Sequence, residues 1–521
     1  MVDRLLATLE PPCDKSAVVW HRRGLRTQDH PALAVANEYE TVCPLFIFDP
    51  QFYDSEGLAC DSRIRFLHES LKDLDSQYDA WGGQLNYAHG EPTELLEALI
   101  EAGWDVLASR EPTGRYGQRR DTAAALAGVQ FVTEDGLVRA ANSRNNWSNH
   151  VEQWFESDFH EFDGQAVEFA TLNTAAQPIT PERIETIYET EPTKARVPHG
   201  GRTAAQRRLA QFVREIESYP GSISSPTAAE THTSRLSAYL RFGCLSVREV
   251  YGTVQNQAAD GRAKEMFISR LYWNRHYTQK LADWAGWLDR AANPVMEDLH
   301  EETRDSELLA AWKAGRTGYP IVDASMRCLR ETGWLNFRMR AMCASVLCDL
   351  FAQPWKEGAD WLYYHLIDAD PAINYTQFQT QAGVVGVNMM RIYNPRKQVR
   401  DNDPEGAFIT RWVPELRSLP QVHLAQPEKT PLHIQRECDV EIGETYPYPV
   451  VEYEAARARI LSKLEAIKPA AEEALTHPEV KRRASLSRRG RSRGDTGTGD
   501  NPSHDESETG SQSSLSFFAD E

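Results

Sequence analysis

The feature that most constrains this chain is a change of periodicity part-way along it. From Ala17 to about residue 140, short apolar, β-branched runs alternate with amphipathic stretches, whereas from Leu209 to about Glu465 nearly every segment has the helical period. In the first part Ala17–Trp20 reads as a strand, followed by the basic turn His21-Arg22-Arg23-Gly24-Leu25-Arg26, a helix start at Asp29-His30-Pro31 and a second strand at Val42–Phe48. A helix over Arg63–Tyr78, a strand at Gln84–Ala88, a helix over Glu94–Ala102 and a strand at Asp105–Ser109 continue the order. Strands that alternate with helices predict a doubly wound parallel sheet, here over residues 15–140.

Residues 141–218, with clusters of Asn, Ser, Thr and Pro, read as a connector crossing the surface. Residues 219–475 read as an all-helical domain. The segment 480–521 is low-complexity: Lys481 to Arg493 is basic, Asp495–Glu508 is acidic and rich in Gly and Ser, and the sequence predicts a disordered tail.

Composition narrows the class. Of 521 residues, 41% are hydrophobic and 10% aromatic, which excludes a chain disordered throughout. Lys and Arg number 57 against 76 Asp and Glu, a formal charge of −19. Such a balance usually argues against nucleic acid, yet arginine supplies most of the cations, and an acidic, lysine-poor surface suits a salt-rich cytoplasm where Coulomb terms are screened within ~3 Å at 1 M salt. Local charge must therefore decide the partner. No apolar run approaches the ~20 residues of a membrane helix, and the start of the chain lacks the pattern of a signal peptide, so a soluble, cytoplasmic, monomeric protein is expected. Eight cysteines without a CxxC pair argue against zinc, an iron–sulfur cluster or a disulfide framework, and predict buried thiols.

Phosphate loops, HExxH, GxSxG and kinase signatures are absent. Three segments of the helical half stand out. His232-Thr233-Ser234-Arg235-Leu236-Ser237 leads into Ala238–Gly243 and puts hydroxyls and an arginine at a helix N-terminus, an arrangement suited to a phosphate or to a plain N-cap. The second runs from Trp312-Lys313-Ala314-Gly315-Arg316-Thr317-Gly318-Tyr319-Pro320 to Gly333-Trp334-Leu335-Asn336-Phe337-Arg338-Met339-Arg340. The third is Leu366-Ile367-Asp368-Ala369-Asp370-Pro371-Ala372-Ile373-Asn374. Arg338 and Arg340 beside Asp368 and Asp370 predict a pair network, either around an anionic ring system or purely structural.

In this order and spacing, the three segments resemble the photolyase/cryptochrome family, and the resemblance extends from Val19-Trp20-His21-Arg22-Arg23-Gly24-Leu25-Arg26 through Gly406-Ala407-Phe408-Ile409-Thr410-Arg411-Trp412-Val413-Pro414-Glu415-Leu416. It implies an α/β antenna domain, a helical domain holding folded FAD, and blue-light-driven electron transfer to lesions in ultraviolet-damaged DNA, or to a signalling partner as in cryptochrome photoreceptors. Carried over residue by residue, it places Tyr219 and Thr233 to Ser237 at the pyrophosphate, Arg340 and Asp368 as a salt bridge beside the isoalloxazine, Asp370 at the ring and Asn374 facing the flavin N5. Phe267, Arg270, Asn274, Tyr277, Arg338 and Ala369 fall within the same cofactor set. The DNA-contacting set is Arg270, Trp273, Arg275, Trp334, Arg396 and Lys397, the last two within the locally basic Arg391–Arg400. Of the catalytic set, Trp273 matches an aromatic wall of the lesion pocket and Trp355 the middle member of the family's tryptophan wire.

The sequence departs from the family pattern at telling positions. Arg270 stands where cyclobutane-dimer enzymes place a glutamate, and an arginine cannot accept hydrogen bonds from pyrimidine N–H groups. It could bind phosphate, an acceptor-rich photoproduct, the flavin or only a neighbouring acid. Trp273-Asn274-Arg275 replaces a Trp-Arg-Glu run, Thr380 aligns with the second aromatic wall and Ala341 with a pocket methionine. The wire is interrupted, with Phe378 at the flavin-proximal position and Glu302 near the surface one; Trp361, Tyr375 and Tyr393 are either another path or core. Arg110–Gly117 lies where relatives bind a folate or deazaflavin antenna and does not select one. Gln512-Ser513-Ser514-Leu515-Ser516-Phe517-Phe518 resembles a sliding-clamp docking peptide, one residue short.

Overall fold

In the computed structural model the described residues are 10–484, apart from 54–58, 134, 140–146, 173–177 and 388. The start of the expected tail is ordered: residues 480–484 belong to the helix Pro478–Ala484, which buries Val480 and Ala484 and lays Arg483 over the Trp284 ring, while the rest of the charged tail and its clamp-like peptide lie outside the described residues.

The N-terminal sheet is wholly parallel, in the order β3-β2-β1-β4-β5: β1 is Ser16–His21, β2 Thr41–Phe48, β3 Asn86–His89, β4 Asp105–Ser109 and β5 Gln130–Val132. A short β6, Glu168–Phe169, pairs with the start of β2 at Thr41 and Val42, in line with β3, which takes Leu45 to Phe48. Every residue of β1 and β2 is buried, which explains their unbroken apolar runs: helices cover both faces. One cover is the helix Asp61–Asp79, with Ile64, Phe66, Leu67, Leu71 and Leu74 inward; another is Pro92–Glu101, capped by the Glu91 carboxylate. Strand order reverses between β1 and β4, so the crevice beyond their C-terminal ends is a topological switch point.

The connector carries more structure than its composition predicts. It contains the helices Trp147–Glu156, Pro181–Ile187 and Arg202–Arg214. Trp147, Val151 and Phe155 recur at four-residue spacing and bury one face, and Phe155 stacks on Tyr251 with ring centroids 4.5 Å apart. From residue 202 onward the described chain is helical, and the two halves share one core in which Leu25, Leu33, Phe66 and Leu71 pack with Tyr239, Val250, Phe267 and Leu271. A second core surrounds Met339, Leu347 and Phe351.

The Thr317–Pro320 turn is held by Asp323, a fully buried carboxylate that accepts from the Thr317 amide at 2.7 Å, the Thr317 hydroxyl at 2.6 Å, the Gly318 amide at 3.1 Å and the Tyr446 hydroxyl at 2.5 Å. Gly318 is obligatory there: its φ is +77°, and a Cβ would meet the Tyr448–Pro449 backbone at 2.4 Å. This half of the second motif is scaffold. Six cysteines are buried, with Cys13 and Cys438 half-buried, and all eight are free. Among the described residues no helix is long and apolar enough to cross a membrane, and no cluster of His, Cys, Asp and Glu could hold a metal.

Candidate functional site

The site lies among the helices Ser237–Phe242, Arg262–Asp283, Phe337–Ser345, Trp355–His365 and Pro371–Gln381. The chain enters it where the helix Pro226–His232 ends. Arg235 there adopts φ +54°, rare for a residue with a Cβ, and Leu236 follows at φ −88°, ψ −7°. A left-handed residue followed by a right-handed one turns successive N–H groups to one side, the geometry of an anion nest, in which the Leu236 amide makes a long 3.4 Å bond to the Ser234 hydroxyl. Directly after it, the first-turn amides of the Ser237–Phe242 helix have no helical acceptor.

Arg208 of the Arg202–Arg214 helix gathers the opposing carbonyls, donating to Thr231 O at 3.3 Å, Ser234 O at 2.9 Å and Thr233 O. The Thr233 hydroxyl donates to Ala229 O at 2.6 Å, and the Arg235 guanidinium lies 3.9 Å from the Trp334 ring centroid. A cavity of about 940 Å³ adjoins the segment, lined by Arg208, Glu215, Ser218, Arg235 and Tyr239 among others.

The predicted four-member pair network is split in the structure. Arg340 Nη2 reaches both Asp368 oxygens, at 3.1 and 3.0 Å, and its Nε donates to Leu335 O at 2.7 Å. Arg338 instead meets the Ser224 hydroxyl at 3.5 Å. Asp370 caps the Pro371–Gln381 helix, accepting from the Ala372 amide at 2.9 Å and the Ile373 amide at 3.4 Å, and pairs with Arg23 of the α/β domain at 3.4 Å. Burial alone would raise the Asp370 pKa; Arg23 and Arg241 outweigh it and hold the carboxyl below its usual range. Asn374, one turn on, donates Nδ2 to Ala359 O at 2.9 Å, which orients the amide and leaves Oδ1 to accept. The preceding Ala369 is buried and offers its carbonyl to Arg241 Nε at 2.9 Å.

The Arg262–Asp283 helix supplies one aromatic wall. Phe267 meets Tyr219 edge-on at 5.7 Å, and Trp273 and Tyr277 stack with centroids 5.5 Å apart. Arg270 hydrogen-bonds the Tyr219 hydroxyl; burial raises that phenol's pKa and Arg270 opposes the rise. Tyr277 is linked to Gln377 on the facing helix, a residue the sequence reading missed. Asn336 was also missed as an individual residue: its Nδ2 spans Ile223 O and Ser224 O, both at 3.1 Å, while its buried Oδ1 has no partner among the described residues.

Two expected DNA contacts are turned inward. Arg275 is 5% exposed, donates to Asn274 Oδ1 at 2.6 Å and Asp135 O at 3.1 Å, and burial lowers its pKa to about 10. Asn274 is thereby committed to Arg275. Arg396 pairs with Glu428 at 2.9 Å and lies over the Tyr453 ring, while Lys397 beside it is exposed. Of the wire positions, Trp355 and Phe378 are both buried, with the Phe378 ring seated against Gly358, where a Cβ would meet it at 2.6 Å. Glu302 is an exposed partner of Lys463, Thr380 is exposed and Ala341 is buried.

The arrangement fits a flavin dinucleotide on three independent grounds: an anion nest beside free first-turn amides, an unpartnered buried amide oxygen at Asn336, and an arginine–carboxylate pair next to an oriented Asn374 amide. Fold and site define a two-part flavoprotein, a parallel α/β domain joined to a helical FAD-binding domain.

Residues 267–466 match the family model for the FAD-binding domain of DNA photolyase, and residues 17–142 match that for DNA photolyase, together more than half of the chain. The chain is 28% identical over 491 residues to a (6-4) DNA photolyase of Arabidopsis thaliana, covering 86% of this chain and 88% of that one. It is 29% identical over 480 residues to a cryptochrome DASH of Gloeobacter violaceus, covering 84% and 93%. An archaeal photolyase from Sulfolobus tokodaii, whose structure holds two FAD molecules, superposes with a TM-score of 0.72 at 26% identity, covering 87% of this chain and all of that one. The chain belongs to the photolyase/cryptochrome family.

Proposed function

We propose that this protein is a blue-light-driven, FAD-dependent DNA photolyase that repairs ultraviolet pyrimidine photoproducts. The observation that carries the reading is the half-buried Trp273–Tyr277 stack, on the same helix as Arg270 and linked through Tyr277 to Gln377 of the Pro371–Gln381 helix, which also carries Asn374. A flat aromatic pair with a cation beside it is what an extrahelical damaged base requires. The flavin supplies the redox chemistry when bound. The chain's own residues hold its diphosphate at 233–237, orient its ring edge through Asn374 and keep water out with Phe267, Tyr219 and Phe378. Arg270, a donor where a carboxylate would accept, favours an acceptor-rich photoproduct or a lesion phosphate over the N–H edges of a cyclobutane dimer.

A second reading, a cryptochrome-like photoreceptor without repair, draws on the exposed Thr380 and the small Ala341 where the lesion pocket needs bulk, and on the cryptochrome DASH relative. A second chromophore would sit beyond the ends of β1 and β4, where Trp20 Nε1, Ser109 Oγ and Thr113 Oγ1 are buried without partners among the described residues. The test is illumination of oligonucleotides carrying one cyclobutane dimer or one (6-4) photoproduct with protein whose flavin is chemically reduced. Restoration of either lesion supports the photolyase; flavin bound and photoactive with neither restored favours the photoreceptor.

A further inference from the structure

The family matches treat the α/β and helical domains as separate units, but a continuous chain of charged contacts joins them at the cofactor site. Arg22, at the end of β1, lies 4.4 Å over the Trp20 ring and pairs with Asp121 at 2.5 Å. The second Asp121 oxygen accepts the Glu111 amide at 2.8 Å. The Glu111 carboxylate then meets Arg23 at 3.2 Å and Arg241 at 3.7 Å. Arg23 and Arg241 leave this carboxylate in different directions. Arg23 reaches Asp370, the residue that caps the Asn374 helix, while Arg241 sits at the end of the Ser237–Phe242 helix and ties it to Ala369 O.

We infer that Arg23 and Glu111 are positioning residues of the FAD site: the α/β domain sets the spacing between the helix that holds the diphosphate and the helix that faces the ring. Asp370, at the start of the Asn374 helix, is drawn to both Arg23 and Arg241, and Glu111 adds a second carboxylate shared by the same two arginines, contributed by the α/β domain. All four side chains are at most 24% exposed, which shields the cluster from screening. Through Asp121 and Arg22 the same chain of contacts reaches the strand-end crevice. The inference rests on the FAD site described above.

The experiment uses the full-length holoprotein and follows flavin fluorescence on dilution into FAD-free buffer, for the native chain, Arg23→Met, Arg23→Lys, Glu111→Gln and Arg120→Met. The Arg120 pair with Asp49 lies at the same strand ends but outside the chain of contacts, and serves as the control. Arg23→Met and Glu111→Gln are expected to speed FAD release about tenfold and to speed amide exchange at Ala372 and Ile373. Arg23→Lys, which keeps the charge, should recover most of the native rate. Glu111→Gln, close to isosteric, carries the test alone if Arg23→Met yields no folded protein. Release within twofold of native in both variants, or equal acceleration in Arg120→Met, overturns the inference. Native protein that binds no FAD at all would sink the site reading instead.

Discussion

Arg340→Met isolates the ion pair at the centre of the site. The Asp368 side chain is 8% exposed and Arg340 23%, and the guanidinium touches both carboxylate oxygens within 3.1 Å. Removing one partner of a wholly buried pair costs about 3–5 kcal/mol, most of it from the charge left behind. Partial exposure of Arg340 lets water reach that charge, so about 2 kcal/mol is expected here. Asp368 opens the turn into the Asn374 helix, so the loss should appear in the FAD dissociation constant as a weakening of about 30-fold. Fluorescence titration of apoprotein with FAD reads it directly. Asp368→Asn should cost a similar amount, and Arg340→Met combined with Asp368→Asn should cost little more than either alone, because no charge is then stranded. Additive losses in the double variant, or an FAD affinity within threefold of native in Arg340→Met, would refute the reasoning.

Arg270→Glu should shift lesion preference toward cyclobutane dimers, measured by competition between the two defined photoproducts; an unchanged preference removes Arg270 from the pocket. Phe378→Trp should speed light-driven flavin reduction, followed by absorbance, while lowering thermal stability by about 1–3 kcal/mol, because Gly358 leaves no room for the larger ring. Asp349, buried in a π-helical turn with the Ser345 hydroxyl as its partner at 2.5 Å, has its pKa pushed up to about 7 by burial. A folded-state pKa above the unfolded one means the native state holds the extra proton, so this group's contribution to stability falls as pH rises from about 4 to about 7, by at most about 4 kcal/mol. Denaturant unfolding of Asp349→Asn across that window should show the slope removed; an unchanged slope contradicts the assignment.

Much of the fold was legible because burial on both faces leaves an unbroken signal: β1 and β2 are continuous apolar runs in the sequence and wholly buried in the structure. The Trp147–Glu156 helix was obscured by polar punctuation around it, although Trp147, Val151 and Phe155 already carried its period. The segment 233–237, proposed to hold the diphosphate, stands out in the sequence by its hydroxyls. Its nest does not, since a positive φ at an arginine has no sequence signature. Charge failed in a different way at Arg275 and Arg396: composition shows a cation but not the direction it points, and both turn inward to partners. The Arg23–Asp370 contact spans 347 positions, and only the packing of the two domains brings its ends together.

The most direct test of the central claim is the rate of lesion restoration as a function of wavelength, measured on a single photoproduct with chemically reduced holoprotein at high salt. Repair that follows the absorption of the reduced flavin is the predicted result. A flavin that absorbs, is bound and is photoactive, on protein that holds the damaged strand yet restores no base at any wavelength, would contradict it.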